Sequence, residues 1–324
     1  MSTYQKVHHF LAFAAAAALL FTATQTVAQT PNPNLVPGAK TSGPNPDSWP
    51  GKKKLLFIAD VQTGYHHDAI NHTMAVVEKI GRESGAYVTF LRTDSELLTK
   101  KKIEPQGKYV GGNINVKGLN FFDAIFLLPS GYGTMTDEQK NALISFVRED
   151  GKGLIVGHAA GAAFVMKDGK LTWPEWGFLI GGMMDRRGDH KAEFRGVSKV
   201  IVEDTKFPGA MGWGKTAFMF DEQHPLVMPP YYSRDKVHVI MRLDPASVPE
   251  EYRKQHPDGD FPVVWAQQYG KGRVFNVGWG EFETTWDDPG MQKMMLGAIK
   301  WALGSTPADV TPRPLPKTNQ SASK

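Results

Sequence analysis

Two unrelated stretches of this sequence each set a histidine where a side chain could carry out proton chemistry. One reads Asp60-Val61-Gln62-Thr63-Gly64-Tyr65-His66-His67-Asp68 and the other Gly157-His158-Ala159-Ala160-Gly161. Each directly follows a short apolar run, so each belongs to the end of a strand rather than to a packed core. An imidazole titrates near neutrality and can take a proton, return it or ligate a metal. His158 stands among small residues that allow a sharp backbone turn, comparable to the turn that exposes a nucleophile in other α/β enzymes. The competing reading is a histidine hydrogen-bonded beneath a loop. Of His66 and His67 at least one should face solvent, and His67 is taken as the inward member because Asp68 or the following helix can orient it. Asp189-His190 and Asp221-Glu222-Gln223-His224 supply further imidazoles and carboxylates, in segments that read as loops.

The chain contains no cysteine, which excludes a disulfide framework, a thiolate nucleophile and a zinc site of the finger type. Histidines and carboxylates without a thiol suit either general acid–base work or a divalent ion such as zinc, although no short signature of the H-E-x-x-H kind is present. Trp173, Trp176, Trp213, Trp279 and Trp286 fall in loops or at strand ends. Indole faces at the edge of a cleft suit flat, partly apolar ligands such as sugar rings; ordinary packing is the alternative for each.

The elements that must position these residues follow from apolar patterning. Ala124-Ile125-Phe126-Leu127-Leu128, ended by Pro129 and Gly131, is a strand buried on both faces. Thr136 with Gln139 forms a capping box, Leu143, Phe146 and Val147 share a helical face, and Leu154-Ile155-Val156 is the next strand. Strand, helix and strand at this spacing make a βαβ unit with parallel strands. The same grammar opens the domain: Leu55-Leu56-Phe57-Ile58, a helix from Ala69 to Ser84, and a strand at 87–91. Two such units predict a doubly wound, mostly parallel sheet, whose ligands bind beyond the carboxyl ends of the strands. Further on, β-like runs occur at 199–203 and 237–243, strands at 263–267 and 273–277 should pair as a hairpin, and a helix over about 289–303 closes the core.

Outside this core the chain changes character. Residues 10–21 are an apolar run after Lys6, too short to span a bilayer, and Thr26-Val27-Ala28 places small residues where a signal peptidase reads. Residues 1–28 are therefore expected to be a signal peptide, 29–51 a disordered linker, 52–304 one domain and 305–324 a disordered proline-rich tail. Cleavage would remove one lysine and no acid, taking the formal net charge from +4 to +3. That balance, with Lys52-Lys53-Lys54 and Lys100-Lys101-Lys102 as the basic triplets, reads as solvated surface and predicts no nucleic-acid partner. A periplasmic or secreted protein with no membrane span after cleavage is expected, and a homo-oligomer is compatible with it.

The stretches Gly64-Tyr65-His66-His67-Asp68-Ala69-Ile70, Val156-Gly157-His158-Ala159-Ala160, Phe220-Asp221-Glu222, Pro262-Val263-Val264-Trp265, Tyr269-Gly270-Lys271-Gly272-Arg273-Val274-Phe275 and the segment 286–301 together resemble the ThuA-like family. This is the trehalose-utilisation domain of the class I glutamine amidotransferase-like superfamily, and the resemblance covers about 53–304. It implies a flavodoxin-like α/β fold with β-rich additions, in which His158 stands where an amidotransferase has its cysteine. Glutamine hydrolysis through a thioester is thereby excluded. It also implies a role in disaccharide or keto-sugar utilisation, with His158, His67 and Glu222 as catalytic residues. Tyr65, Asp68, Trp173, Trp279 and Trp286 are the substrate-binding candidates, and His67, His158 and His190 the metal candidates. Two positions depart from the family pattern: Val156 replaces a glycine, and near Gly280-Glu281 a histidine common after the last strand is missing, where Glu281 could serve as oxygen ligand or base.

The leading expectation is an exported hydrolase or isomerase acting on a saccharide, metal-assisted if the donors above hold an ion. The alternative is a noncatalytic sugar-binding or scaffold protein on the same fold, for which tryptophans would matter more than His158. A metal-storage or metal-sensing role is a third reading.

Overall fold

Continuous apolar runs fold here into strands whose alternate side chains enter two separate cores. In β1 (Lys54–Asp60), Leu55, Phe57 and Ala59 pack on one side of the sheet, and Leu56 and Ile58 on the other. The computed structural model describes residues 49–60, 64, 67–101, 103, 117–131, 133–165 and 170–316. The expected signal peptide, the linker up to residue 48, Tyr65 and His66 lie outside the described residues.

From β1 the chain runs through α1 (Ala69–Ser84), β2 (Val88–Arg92), β3 (Ala124–Pro129), α2 (Asp137–Arg148) and β4 (Gly153–Gly157). There follow α3 (Pro174–Ile180), β5 (Met183–Met184), β6 (Glu193–Val202), β7 (Ala217–Pro225), β8 (Val227–Met228) and β9 (His238–Leu243). The chain then forms α4 (Glu250–Arg253), β10 (Pro262–Tyr269), β11 (Gly272–Val277), α5 (Glu283–Asp287) and α6 (Pro289–Ala302). Nine strands form one sheet in the order β2-β1-β3-β4-β11-β10-β9-β6-β7. Pairing is parallel from β2 through β11 and antiparallel from β11 to β7. The β-rich additions expected after Gly161 extend the parallel sheet through β6, β7, β9 and β10, while β5 and β8 pair apart from it as a two-stranded antiparallel sheet.

Helices α1 and α6 cover one face, through Val77, Ile80, Met294 and Ile299, and α2 and α3 the other, through Leu143, Phe146, Val147 and Trp176. No helix among the described residues is long and apolar enough to cross a membrane. The capping box at α2 is present: Thr136 accepts from the Gln139 amide while the Gln139 side chain accepts from the Thr136 amide. Thr136→Ala is expected to cost about 1 kcal/mol, read in urea as a lower midpoint with an unchanged slope.

Beyond α6, residues 305–316 carry no regular structure, yet Ala308 and Val310 pack on the core and the Thr311 carbonyl accepts from the His238 ring at 2.8 Å. The prolines that prompted an expectation of disorder here serve an extended segment lying on the sheet.

Candidate functional site

Parallel strands put their carboxyl ends on one rim, and the segments that follow β1, β3, β4 and β11 meet there. His67 lies just before α1 and its carbonyl accepts the Ile70 amide, which ties it to the first turn. His158 follows β4 directly, with φ +30°, a left-handed backbone that few non-glycine residues adopt. Strain of this kind costs on the order of 1–3 kcal/mol and persists where the surroundings impose it. Gly64 brings the β1 loop against the end of β3, since a Cβ there would collide with the Ser130 hydroxyl and the Gly131 amide.

The rings of His67 and His158 stand edge to face with centroids 4.8 Å apart. Between them lies one oxygen of Glu281, 2.6 Å from His67 Nδ1 and 2.7 Å from His158 Nε2. The other oxygen of Glu281 accepts from the Arg195 guanidinium. Nδ1 of His67 and Nε2 of His158 thus face the carboxylate, which leaves Nε2 of His67 and Nδ1 of His158 turned away from it. His158 Nδ1 is buried with no hydrogen-bond partner among the described residues. Burial, reinforced by the neighbouring His158 charge, holds His67 below its ordinary value against the opposing pull of Glu281. Burial would raise Glu281, but the hydrogen bond and charge of His158, with His67 and Arg195, prevail and keep it below the usual carboxylate range. The group is therefore built to hold an anion beside an uncharged imidazole near neutrality, the pairing that lets a histidine act as a base.

Two hollows flank this group, and His67 lines both. The inner one, about 210 Å³, is walled by Ser130, Gly131, His158, Ala159, Met184, Arg186 and Gln223 among others. The outer one, about 410 Å³, is walled by Asp68, Arg195, Glu281, Phe282, Glu283 and Thr284 with His67. Both are lined by charged and polar side chains as well as apolar ones.

The expected site residues divide accordingly. His67 and His158 converge, and Asp68 is exposed on the outer hollow. Glu222 is not in contact with either ring. It lies fully buried in β7, where its carboxylate accepts from the amides of Gln223 (2.8 Å), Gly280 (3.2 Å) and Glu281 (3.3 Å) and from the Thr285 hydroxyl. Burial pushes its pKa up, and these donors work against that. The segment 221–224, expected as a loop, is strand. His190 belongs elsewhere: its Nδ1 is 2.8 Å from Asp185, which also takes a two-point contact from Arg187 and has His256 at 3.5 Å. Burial opposes ionisation of Asp185, but the donors of Arg187 and His190 hold it far below the usual carboxylate range.

The tryptophans need a correction. Trp173, Trp279 and Trp286 are 6%, 0% and 1% exposed, so none offers an indole face to a sugar. Trp173 stacks on Trp176, Trp279 donates to His224, and Trp286 donates to the Gly280 carbonyl. Large aromatics buried this way do packing work.

The three donors His67, His158 and Glu281 each offer a ligand atom within 4.8 Å of the others. Two imidazoles and a carboxylate are a donor set that fits zinc with a position left open. Glu281 thus occupies the third place assigned from sequence to His190. Arg195 was not anticipated: it sits on β6, which reaches this rim only through the antiparallel half of the sheet.

Fold and site together define a flavodoxin-like α/β protein with a histidine–carboxylate cluster at its parallel strand ends. The chain belongs to the ThuA family, described as trehalose utilisation, whose model matches residues 54–302. Two crystal structures of ThuA-like proteins are similar to it. The one from Bacteroides uniformis is 18% identical with a TM-score of 0.53, over 81% of this chain and 95% of that one. The one from Parabacteroides merdae is 16% identical with a TM-score of 0.53, over 82% of this chain and 93% of that one. At such identities the likeness concerns fold alone. A search of the curated proteins returned no match.

Proposed function

We propose that this protein is an exported enzyme of carbohydrate utilisation in which His67, Glu281 and His158 form an acid–base centre acting on a saccharide, by hydrolysis or isomerisation. One observation carries the reading: a single carboxylate oxygen lies within 2.7 Å of ring nitrogens from two distant loops. In it, neutral His67 takes a proton from a substrate hydroxyl or from carbon beside a carbonyl, and Glu281, kept anionic by His158 and Arg195, stabilises the imidazolium that forms. Were the same three side chains instead to hold a divalent metal, it would supply Lewis acidity at the substrate oxygen, with His67 a ligand and not the base. Export is supported by the amino-terminal apolar run with Thr26-Val27-Ala28.

The alternative is a noncatalytic sugar-binding or scaffold protein on the same fold, and the burial of Trp173, Trp279 and Trp286 speaks against indole faces as its binding surface. The test is incubation of the mature protein with disaccharides and their 3-keto forms, with and without added zinc, alongside elemental analysis. Product from at least one of them is expected; binding without product under every condition would favour the alternative.

A further inference from the structure

We propose that Glu222 is a positioning residue that aims Glu281 at the two imidazoles. The inference builds on the reading of His67, Glu281 and His158 as one centre. Glu222 is held on a rigid support, since β7 pairs with β6 along its whole length and Glu222 itself lies opposite Gly196. Its carboxylate then reaches across to the turn after β11. The consecutive amides of Gly280 and Glu281 both donate to it, at 3.2 and 3.3 Å, and the Thr285 hydroxyl joins them from the middle of α5. On the opposite side of the same turn the Gly280 carbonyl accepts from the Trp286 indole at 3.4 Å. The backbone that bears Glu281 is thus gripped through its amides by one side chain and through a carbonyl by another.

This grip needs the residue types present. Gly280 has φ +126°, and a Cβ there would come within 2.9 Å of the Trp286 ring, so the turn can pass only as glycine. Four converging donors need an acceptor with lone pairs on both oxygens, which an ionised carboxylate offers and a carboxamide does not. In Glu222→Gln the amide group would face donors on one side, and at least one of them would be left without an acceptor. A carboxylate that merely stabilised the interior would change melting temperature and leave the imidazoles as they are. One that aims Glu281 must change how the imidazoles behave.

The experiment is carbethoxylation of the mature protein with diethyl pyrocarbonate, which attacks unprotonated imidazole nitrogen, with rates assigned to each histidine by mass spectrometry. Glu281→Gln, Glu222→Gln and the wild type are compared, with melting curves for each. Glu222→Gln is expected to react several-fold more slowly at His67 and His158, because a carboxylate beside one ring nitrogen makes the other nitrogen the stronger nucleophile. Glu281→Gln should do the same, with His72 and His190 unchanged in both. Thr285→Val removes one donor and leaves the carboxylate; it should show a smaller fall at the same two rings, and it carries the test if the glutamine variant does not fold. Slower reaction in Glu281→Gln with wild-type rates in Glu222→Gln and Thr285→Val overturns the positioning role and leaves the centre standing. A uniform change at all histidines also overturns it, because that reports general loosening. If Glu281→Gln itself leaves both rings unchanged, the centre and the positioning role fall together.

Discussion

Replacing His158 by asparagine should cut saccharide turnover by about 10²- to 10⁴-fold, the range that loss of a positioned acid–base group gives, while leaving the protein folded. Asparagine is the informative choice because it tolerates the left-handed backbone at this position, φ +30°, better than other polar residues. The substitution removes the nitrogen 2.7 Å from Glu281 and also the cation that depresses its partner. His67, pushed down by burial and then by the His158 charge, keeps only the first of these effects, so its pKa should rise. Glu281 loses its His158 hydrogen bond and should rise as well. A base must be unprotonated to act. The acid limb of the residual activity therefore moves to higher pH in the variant, and a pH–rate profile for kcat/KM reads it directly. Unchanged turnover would remove His158 from the chemistry; lost turnover with an unmoved acid limb would separate its chemistry from any influence on His67.

The parallel half of the sheet was legible because its strands are unbroken apolar runs buried on both faces and its helix α2 begins at a capping box. The rule that ligands gather at the carboxyl ends of such strands was enough to single out His67 and His158. Glu281 was harder to find. The hairpin of β10 and β11 is written locally, but the other edge of β11 pairs in parallel with β4, Arg273 beside Gly153, and no local pattern announces a partner so distant in sequence. Without that pairing the end of β11 cannot be seen to lie beside His158. Glu222 was misplaced for a different reason. In β7 the inward positions carry Glu222 and His224 after Phe220, so the strand's two-residue alternation is present but is written in polar residues, and a search for apolar periodicity passes over it. The tryptophans failed in the opposite sense: glycines and prolines around them suggested loops, while the cost of leaving an indole in water drew Trp279 and Trp286 into the core.

His224 should make the protein lose about 3 kcal/mol of stability as the pH falls from 6.5 to 4. Burial pushes its pKa down from 6.5 to about 4 in the folded state, and every tenfold loss of proton affinity is worth about 1.4 kcal/mol. The geometry gives the reason. Trp279 donates its indole proton to Nδ1 at 3.1 Å, and Nε2 donates to the Gly196 carbonyl at 3.0 Å, so the ring is neutral and its Nδ1 must stay unprotonated. The sign follows. Below 6.5 the unfolded ring takes a proton that the folded ring refuses, and unfolding is favoured progressively until both states are charged near pH 4. His67 and His256 are also held below their ordinary value by burial and act in the same direction, so the wild type alone cannot isolate the contribution. Glutamine can. In His224→Gln the carboxamide oxygen can accept from Trp279 and the amide can donate to Gly196 without any group that titrates in this range. Urea melts of both proteins at intervals from pH 7 to pH 4 should show the variant gaining about 3 kcal/mol relative to the wild type across that window. Parallel curves would mean that His224 takes up its proton as readily in the folded state as in the unfolded one, and that the hydrogen bond from Trp279 does not hold Nδ1 unprotonated.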